Sequence, residues 1–106
     1  MSRASRTPPR QRYHGWPNNR VGDPIYERLR LFVAGLDEFI TAEIDAGRVV
    51  SRRAFAEAAG LPHSTLTKLI NGDAVPDGLT IAALEVACGK SLWPSHHRAE
   101  SSLKGE

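Results

Sequence analysis

The stretch Val50-Ser51-Arg52-Arg53-Ala54-Phe55-Ala56-Glu57-Ala58-Ala59-Gly60-Leu61-Pro62-His63-Ser64-Thr65-Leu66-Thr67-Lys68-Leu69 decides the fold. It reads as two short helices joined by a tight turn. Ser51 is placed to cap the first helix with its hydroxyl, and Phe55, Ala56 and Ala59 fall on its inner face. Helices that cross at about 90–120° through a turn of about three or four residues need a glycine where the first one ends. Gly60 stands at that point and accepts positive φ without a Cβ clash. Ala56 is small enough to permit the close crossing, while Phe55, Leu61, Leu66 and Leu69 supply an apolar wedge between the helices. The second helix begins at Pro62 or Ser64 and ends at Asn71-Gly72. His63, Ser64, Thr67 and Lys68 share a polar outer face near its start.

Upstream of this pair the spacing predicts one long helix over roughly residues 24 to 46. Asp23 is a good N-cap and Pro24 suits the first helical position. Ile25, Leu29, Phe32, Leu36, Phe39, Ile40 and Ile44 recur at intervals of three and four, which marks a single buried stripe. The stripe keeps its phase through Gly35, where the helix could bend, and Gly47 is the natural stop. Downstream, a polar loop containing Pro76 leads to another helix, from Asp77 or Thr80 to Cys88, with Leu79, Ile81, Leu84 and Ala87 as candidates for burial. Gly89 stops it, and Leu92 and Trp93 are expected to fold back onto the core. The expected class is therefore all-α, a compact bundle of four to five helices with an extended first helix. Residues 23–94 form the body and residues 95–106 a polar tail.

Residues 1–22 read differently. They contain Pro8, Pro9, Gly15, Pro17 and Gly22 and show no apolar period. They are expected to form a flexible arm that cannot bury enough surface to offset the entropy of ordering. Tyr13 and Trp16 are the exceptions, as residues able to touch the body. The arm carries Arg3, Arg6, Arg10, Arg12 and Arg20 and no acid. The long helix is acidic, with Arg28 and Arg30 against Asp23, Glu27, Asp37, Glu38, Glu43 and Asp45. The helix pair is basic again, with Arg48, Arg52, Arg53 and Lys68 against Glu57. The net charge of +2 hides this alternation. It offers two separate surfaces to a polyanion and turns an acidic one away.

A chain of 106 residues suffices for one domain with one core. Apolar residues at 41% and charged residues at 25% argue against disorder throughout. The single cysteine, Cys88, excludes an internal disulfide and reads as a small core residue in a reducing compartment. No apolar run approaches a membrane span and no apolar stretch follows the basic start, so a cytoplasmic protein is expected.

The stretch from Val50 to Gly72 resembles the lambda-repressor/Cro-like, or XRE-type, helix-turn-helix family. Asn71-Gly72 resembles the motif that follows the family's recognition helix, and Pro76 with the Thr80–Gly89 helix resembles its fourth helix. The likeness spans roughly residues 36 to 93. Two positions depart from it: Pro62 stands where a small polar cap is more usual, and Glu85 where a small buried residue is. The resemblance implies a regulator that reads a double-stranded DNA operator through the major groove, of the phage repressor or Cro type, acting by excluding polymerase. It implies that His63, Ser64, Thr67 and Lys68 face base edges and that Arg52, Arg53 and Asn71 meet phosphates. Arg3, Arg6, Arg10 and Arg12 of the arm would follow a minor groove or the backbone. A homodimer is a possible state, with the acidic first helix a candidate surface for it.

No glycine-rich phosphate loop, zinc-ligand spacing or nucleophile motif is present, so no enzymatic role, cofactor, metal or small-molecule ligand is expected. His96-His97 are adjacent and lack partners at ligand spacing, and Trp16 and Trp93 read as packing residues. Two rival readings use the same fold. An antitoxin-like or adaptor protein would grip a protein partner through an exposed apolar strip on residues 25 to 33. An architectural protein for recombination would depend mostly on the arm.

Overall fold

The computed structural model describes residues 7–94, and the described residues contain five helices and no strand: α1 (Pro9–Arg12), α2 (Pro24–Asp45), α3 (Arg52–Ala58), α4 (His63–Asn71) and α5 (Gly78–Cys88). The all-helical architecture matches the expectation. α2 is the long helix on which the others are assembled. Its start is fixed by Asp23, whose carboxylate accepts from the Ile25 amide at 2.9 Å, with Pro24 at the first position. It runs through Gly35 to Asp45. Gly47 at φ +78° then turns the chain, and the Arg48 amide donates to the Glu43 carbonyl at 3.0 Å.

The stripe on α2 is the centre of the core. Phe32, Val33, Leu36 and Ile40 are completely buried and Leu29 nearly so. Each such side chain contributes about 1.5–3 kcal/mol relative to exposure. Phe39 and Ile44 are half-buried against the cluster. Ile25, expected in the stripe, is 76% exposed. Tyr26 takes the inward place in that turn because chain from the N-terminal segment lies over it. The Tyr26 hydroxyl donates to the Thr7 carbonyl at 2.7 Å, and its ring lies 5.3 Å from that of Tyr13.

Over residues 7–22 the structure departs from the expected flexible arm; residues 1–6 lie outside the described residues. Residues 7–22 form a strap that packs across α2 and reaches the end of α4. Pro9, Trp16 and Val21 are buried and Tyr13 half-buried. The strap has no period, but burial of these four apolar residues and the strap's bonds to α2 and Gly72 work against the cost of ordering it, which its prolines reduce. Its far end is tied to α2 by a polar clamp. The Val21 amide donates to Glu27 Oε1 at 3.0 Å, and Arg30 donates to the Pro17 carbonyl at 3.2 Å. Arg30 also holds Glu27 through two bonds of 2.8 and 2.7 Å. The apolar strip of residues 25–33 is largely covered, by the strap at Tyr26 and by Trp93 at Phe32, with Ile25 and Leu31 among its large apolar side chains left outward. Arg3 and Arg6, and the expected tail of residues 95–106 with His96 and His97, lie outside the described residues.

α5 is capped by Asp77, which accepts from the Thr80 amide at 2.8 Å, and ends at Gly89 with φ +74°. Leu84 is completely buried and Ile81 half-buried, whereas Leu79, expected to be inside, is 83% exposed. The helix is apolar on nearly every side, so its pattern does not mark an inner face. Leu79 and Val86, two turns apart, fall on the outer one. Glu85 takes no small-residue role here. Its Oε2 accepts from the amides of Leu92 and Trp93 at 2.7 and 2.8 Å, and so folds the chain back after Gly89. Trp93 thereby reaches Phe32, ring centroids 5.6 Å apart. Cys88 is half-buried beside the core, and burial pushes its thiol up to about 11, which keeps it neutral.

Two glycines of the helix pair separate backbone strain from crowding. Gly60 has φ +78°, and a Cβ added there would meet nothing within 4 Å, so Gly60→Ala is expected to cost about 1 kcal/mol for the left-handed backbone alone. Gly72 has φ +82°, and a Cβ there would stand 2.6 Å from Trp16 Cδ1 and 3.1 Å from the Arg10 amide nitrogen. Gly72→Ala must displace the strap as well, for about 2–4 kcal/mol. Equal losses in urea denaturation would mean that the strap does not press on Gly72. The clamp gives a pH dependence. The Arg30 guanidinium first, and the Val21 amide with it, hold the Glu27 carboxyl at about 2 against an ordinary 4.5. A depressed folded value contributes stability that is complete above about pH 4.5 and is lost as pH falls towards about 2. Glu27→Gln should lose about 1–2 kcal/mol at pH 7, and its deficit relative to wild type should shrink across that acid window in thermal melts. A deficit independent of pH would contradict the clamp.

Candidate nucleic-acid interface

The helix pair is built as its spacing requires. Ser51 caps α3, its hydroxyl accepting from the Ala54 amide at 3.1 Å. Phe55 and Ala56 turn inward, with the Phe55 ring 6.2 Å from that of Phe39 on α2. Gly60 ends the helix, and the Leu61 amide closes the turn on the Ala56 carbonyl at 2.9 Å. α4 then starts after Pro62, which caps it by backbone geometry and without a side-chain bond. Leu66 and Leu69 are buried against α2 and α3. At the other end the Asp73 amide donates to the Lys68 carbonyl at 2.8 Å across Gly72, the arrangement that a left-handed residue after a helix permits.

This packing fixes which side of α4 meets solvent. Ser64, Thr67, Lys68 and Asn71 are exposed, at positions i, i+3, i+4 and i+7, so they form one continuous face opposite Leu66 and Leu69. His63 is half-buried at the start of that face, its Nε2 3.4 Å from Thr67 Oγ1. A helix presenting short polar groups and one lysine, with its other side sealed, has the dimensions and chemistry to enter a major groove. Arg52, in the first turn of α3, lines one surface groove together with Thr67 and Asn71. It is not an unattached cation, however. It pairs with Asp37 of α2, while its Nη1 is buried without a hydrogen-bond partner. Arg53 is exposed beside it.

Of the arm arginines expected to meet DNA, Arg10 and Arg12 are among the described residues, and they part company. Arg10 is brought to the end of α4: its amide donates to the Gly72 carbonyl at 2.9 Å and its guanidinium pairs with Asp73 at 2.7 Å. Arg12 is held elsewhere, over the rings of Tyr13 at 5.4 Å and Tyr26 at 4.9 Å. Asp73 and Trp16 are neighbours of the end of α4 that spacing alone does not reveal. Trp16 stands out as an isolated aromatic in a proline-rich stretch, but nothing in its sequence surroundings names Gly72 as its contact. Among the described residues no group of histidines, cysteines and acids could hold a metal ion, and no helix is long and apolar enough to cross a membrane.

Comparison with known proteins agrees with this geometry. Residues 50–92 match a family model described as helix-turn-helix. No curated protein and no solved structure matches the chain. The matched segment holds α3, α4, α5 and the turn that Glu85 closes, and leaves out α2 and the strap. Residues 50–92 thus hold a helix-turn-helix, similar to that of the lambda-repressor/Cro-like, XRE-type DNA-binding regulators.

Proposed function

We propose that this protein is a sequence-specific regulator of the phage repressor or Cro type, which occupies a double-stranded operator and excludes polymerase. The observation that carries the reading is the division of α4 into a sealed apolar side and the exposed face Ser64, Thr67, Lys68 and Asn71. Lys68 donates to guanine O6 and N7, Ser64 and Thr67 accept several bases, and His63 donates or accepts according to its tautomer. Arg52, Arg53 and Asn71 meet phosphates on either side and set the register. Arg52 does so while bridged to Asp37, so its contact is positioned by α2.

A two-fold operator needs two copies. The outer side of α5 favours self-association more than the acidic α2 does, because Leu79 and Val86 are exposed with Ala82 and Ala83 between them. Two such uncharged faces meet without repulsion, and the alanines allow close approach.

Selection of bound duplexes from a random pool at near-physiological salt tests the reading, run in parallel for wild type and Lys68→Ala. An enriched motif is expected, with two-fold symmetry if the dimer forms. Lys68→Ala should cost about 1–3 kcal/mol at that site and relax preference at one or two base pairs, whereas Arg52→Ala should weaken all sequences about equally. Absence of enrichment, or an unchanged motif in the Lys68 variant, would refute the assignment of α4 as the reader.

A further inference from the structure

The strap crosses the C-terminal end of α4 beside Asp73, an acid that follows the helix. Asp73 lies two residues beyond Asn71, the last member of the exposed face, and Gly72 between them is buried under Trp16 and Arg10. The Arg10 amide is bonded to the Gly72 carbonyl, so the position of Arg10 is fixed by main chain and not only by its side chain. Its guanidinium pairs with Asp73 at 2.7 Å, yet the Arg10 side chain is 61% exposed and that of Asp73 36%. This ion pair therefore stands open to solvent at the C-terminal end of α4, just beyond Asn71.

A duplex lying against Ser64, Thr67, Lys68 and Asn71 would pass the C-terminal end of α4, where a backbone phosphate could meet the pair. There Asp73 repels it and Arg10 attracts it, at distances well within a Debye length of about 10 Å. The planar guanidinium has five N–H donors and accommodates a carboxylate and a phosphate oxygen at different edges. We propose that Arg10 is a strap-borne phosphate contact of the DNA interface, and that Asp73 competes with the phosphate for it and tempers binding. The strap's role is then to deliver a cation to the recognition helix from outside the segment shared with the family. The inference rests on the reading of α4 given above. It differs from a flexible arm in a groove, because the cation is docked on the body before DNA arrives.

Arg10→Ala and Asp73→Asn break the same ion pair, so a purely structural pair predicts the same consequence for both. The proposal predicts opposite ones. Wild type and both variants are titrated with a short mixed-sequence duplex at about 50 and about 200 mM salt, and their melting temperatures are measured without DNA. Arg10→Ala should bind more weakly and lose about 0.9 from the slope of log K against log salt, so that the rise in salt weakens wild type about threefold more than the variant. Asp73→Asn should bind more tightly than wild type with its slope retained, although both variants melt alike. Asp73→Asn binding unchanged or weakened, or Arg10→Ala keeping the full slope, overturns the proposal and leaves the reading of α4 standing if wild type binds. Failure of wild type to bind any duplex at the lower salt overturns both.

Discussion

The buried stripe of α2 is the surface on which the rest of the described molecule is organised. Leu29, Phe32, Val33, Leu36 and Ile40 face in along it, and the other elements find places against the same side. The strap covers its N-terminal part through Tyr26, the returning chain meets Phe32 through Trp93, and α3 and α4 pack against its later turns. α3 and α4 are only two to three turns long, too short to hold their shape by propensity. Their crossing is maintained because Phe55, Leu66 and Leu69 have an apolar floor to rest on. The exposed face of α4 is thus oriented by a helix that lies outside the segment the family model matches.

Much of this is legible from the residues, and the reasons differ by element. α2 can be read because a long amphipathic period, a proline after an aspartate and a following glycine all point to the same boundaries. The helix pair can be read because a tight crossing leaves few choices at Ala56 and Gly60. Ile25 and Leu79 cannot be placed, for opposite causes. Ile25 obeys the period, but Tyr26 is drawn inward by the carbonyl of Thr7, 19 positions upstream in the strap, which no local pattern encodes. Leu79 sits on a helix with too many apolar residues for a period to discriminate between sides.

The strap is the element least visible in the sequence. Its prolines and glycines imitate a linker, and the burial that orders it comes from four apolar residues spaced irregularly along Pro9, Tyr13, Trp16 and Val21. Non-periodic segments can be recognised as structured only through what they contact. The same limit applies to the candidate interface. The polar face of α4 follows from its spacing, but the neighbourhood of Arg52 with Asp37 and of Arg10 with Asp73 arises from chain brought together across the fold. Glu85 shows how a departure from a family pattern is accommodated. A carboxylate in place of a small side chain accepts two amides of the returning chain, which would otherwise need other partners.

The sealed and open sides of α4 also have an evolutionary consequence. Ser64, Thr67, Lys68 and Asn71 contribute little to the core, so exchanging them would leave the scaffold almost untouched. Gly72, Leu66 and Leu69 have no such latitude, because the strap and α2 close on them. Substitution can therefore change the chemistry along one edge of a nine-residue helix while the architecture is maintained by its own packing. The chemistry of that edge and preservation of the fold are, in this molecule, nearly independent.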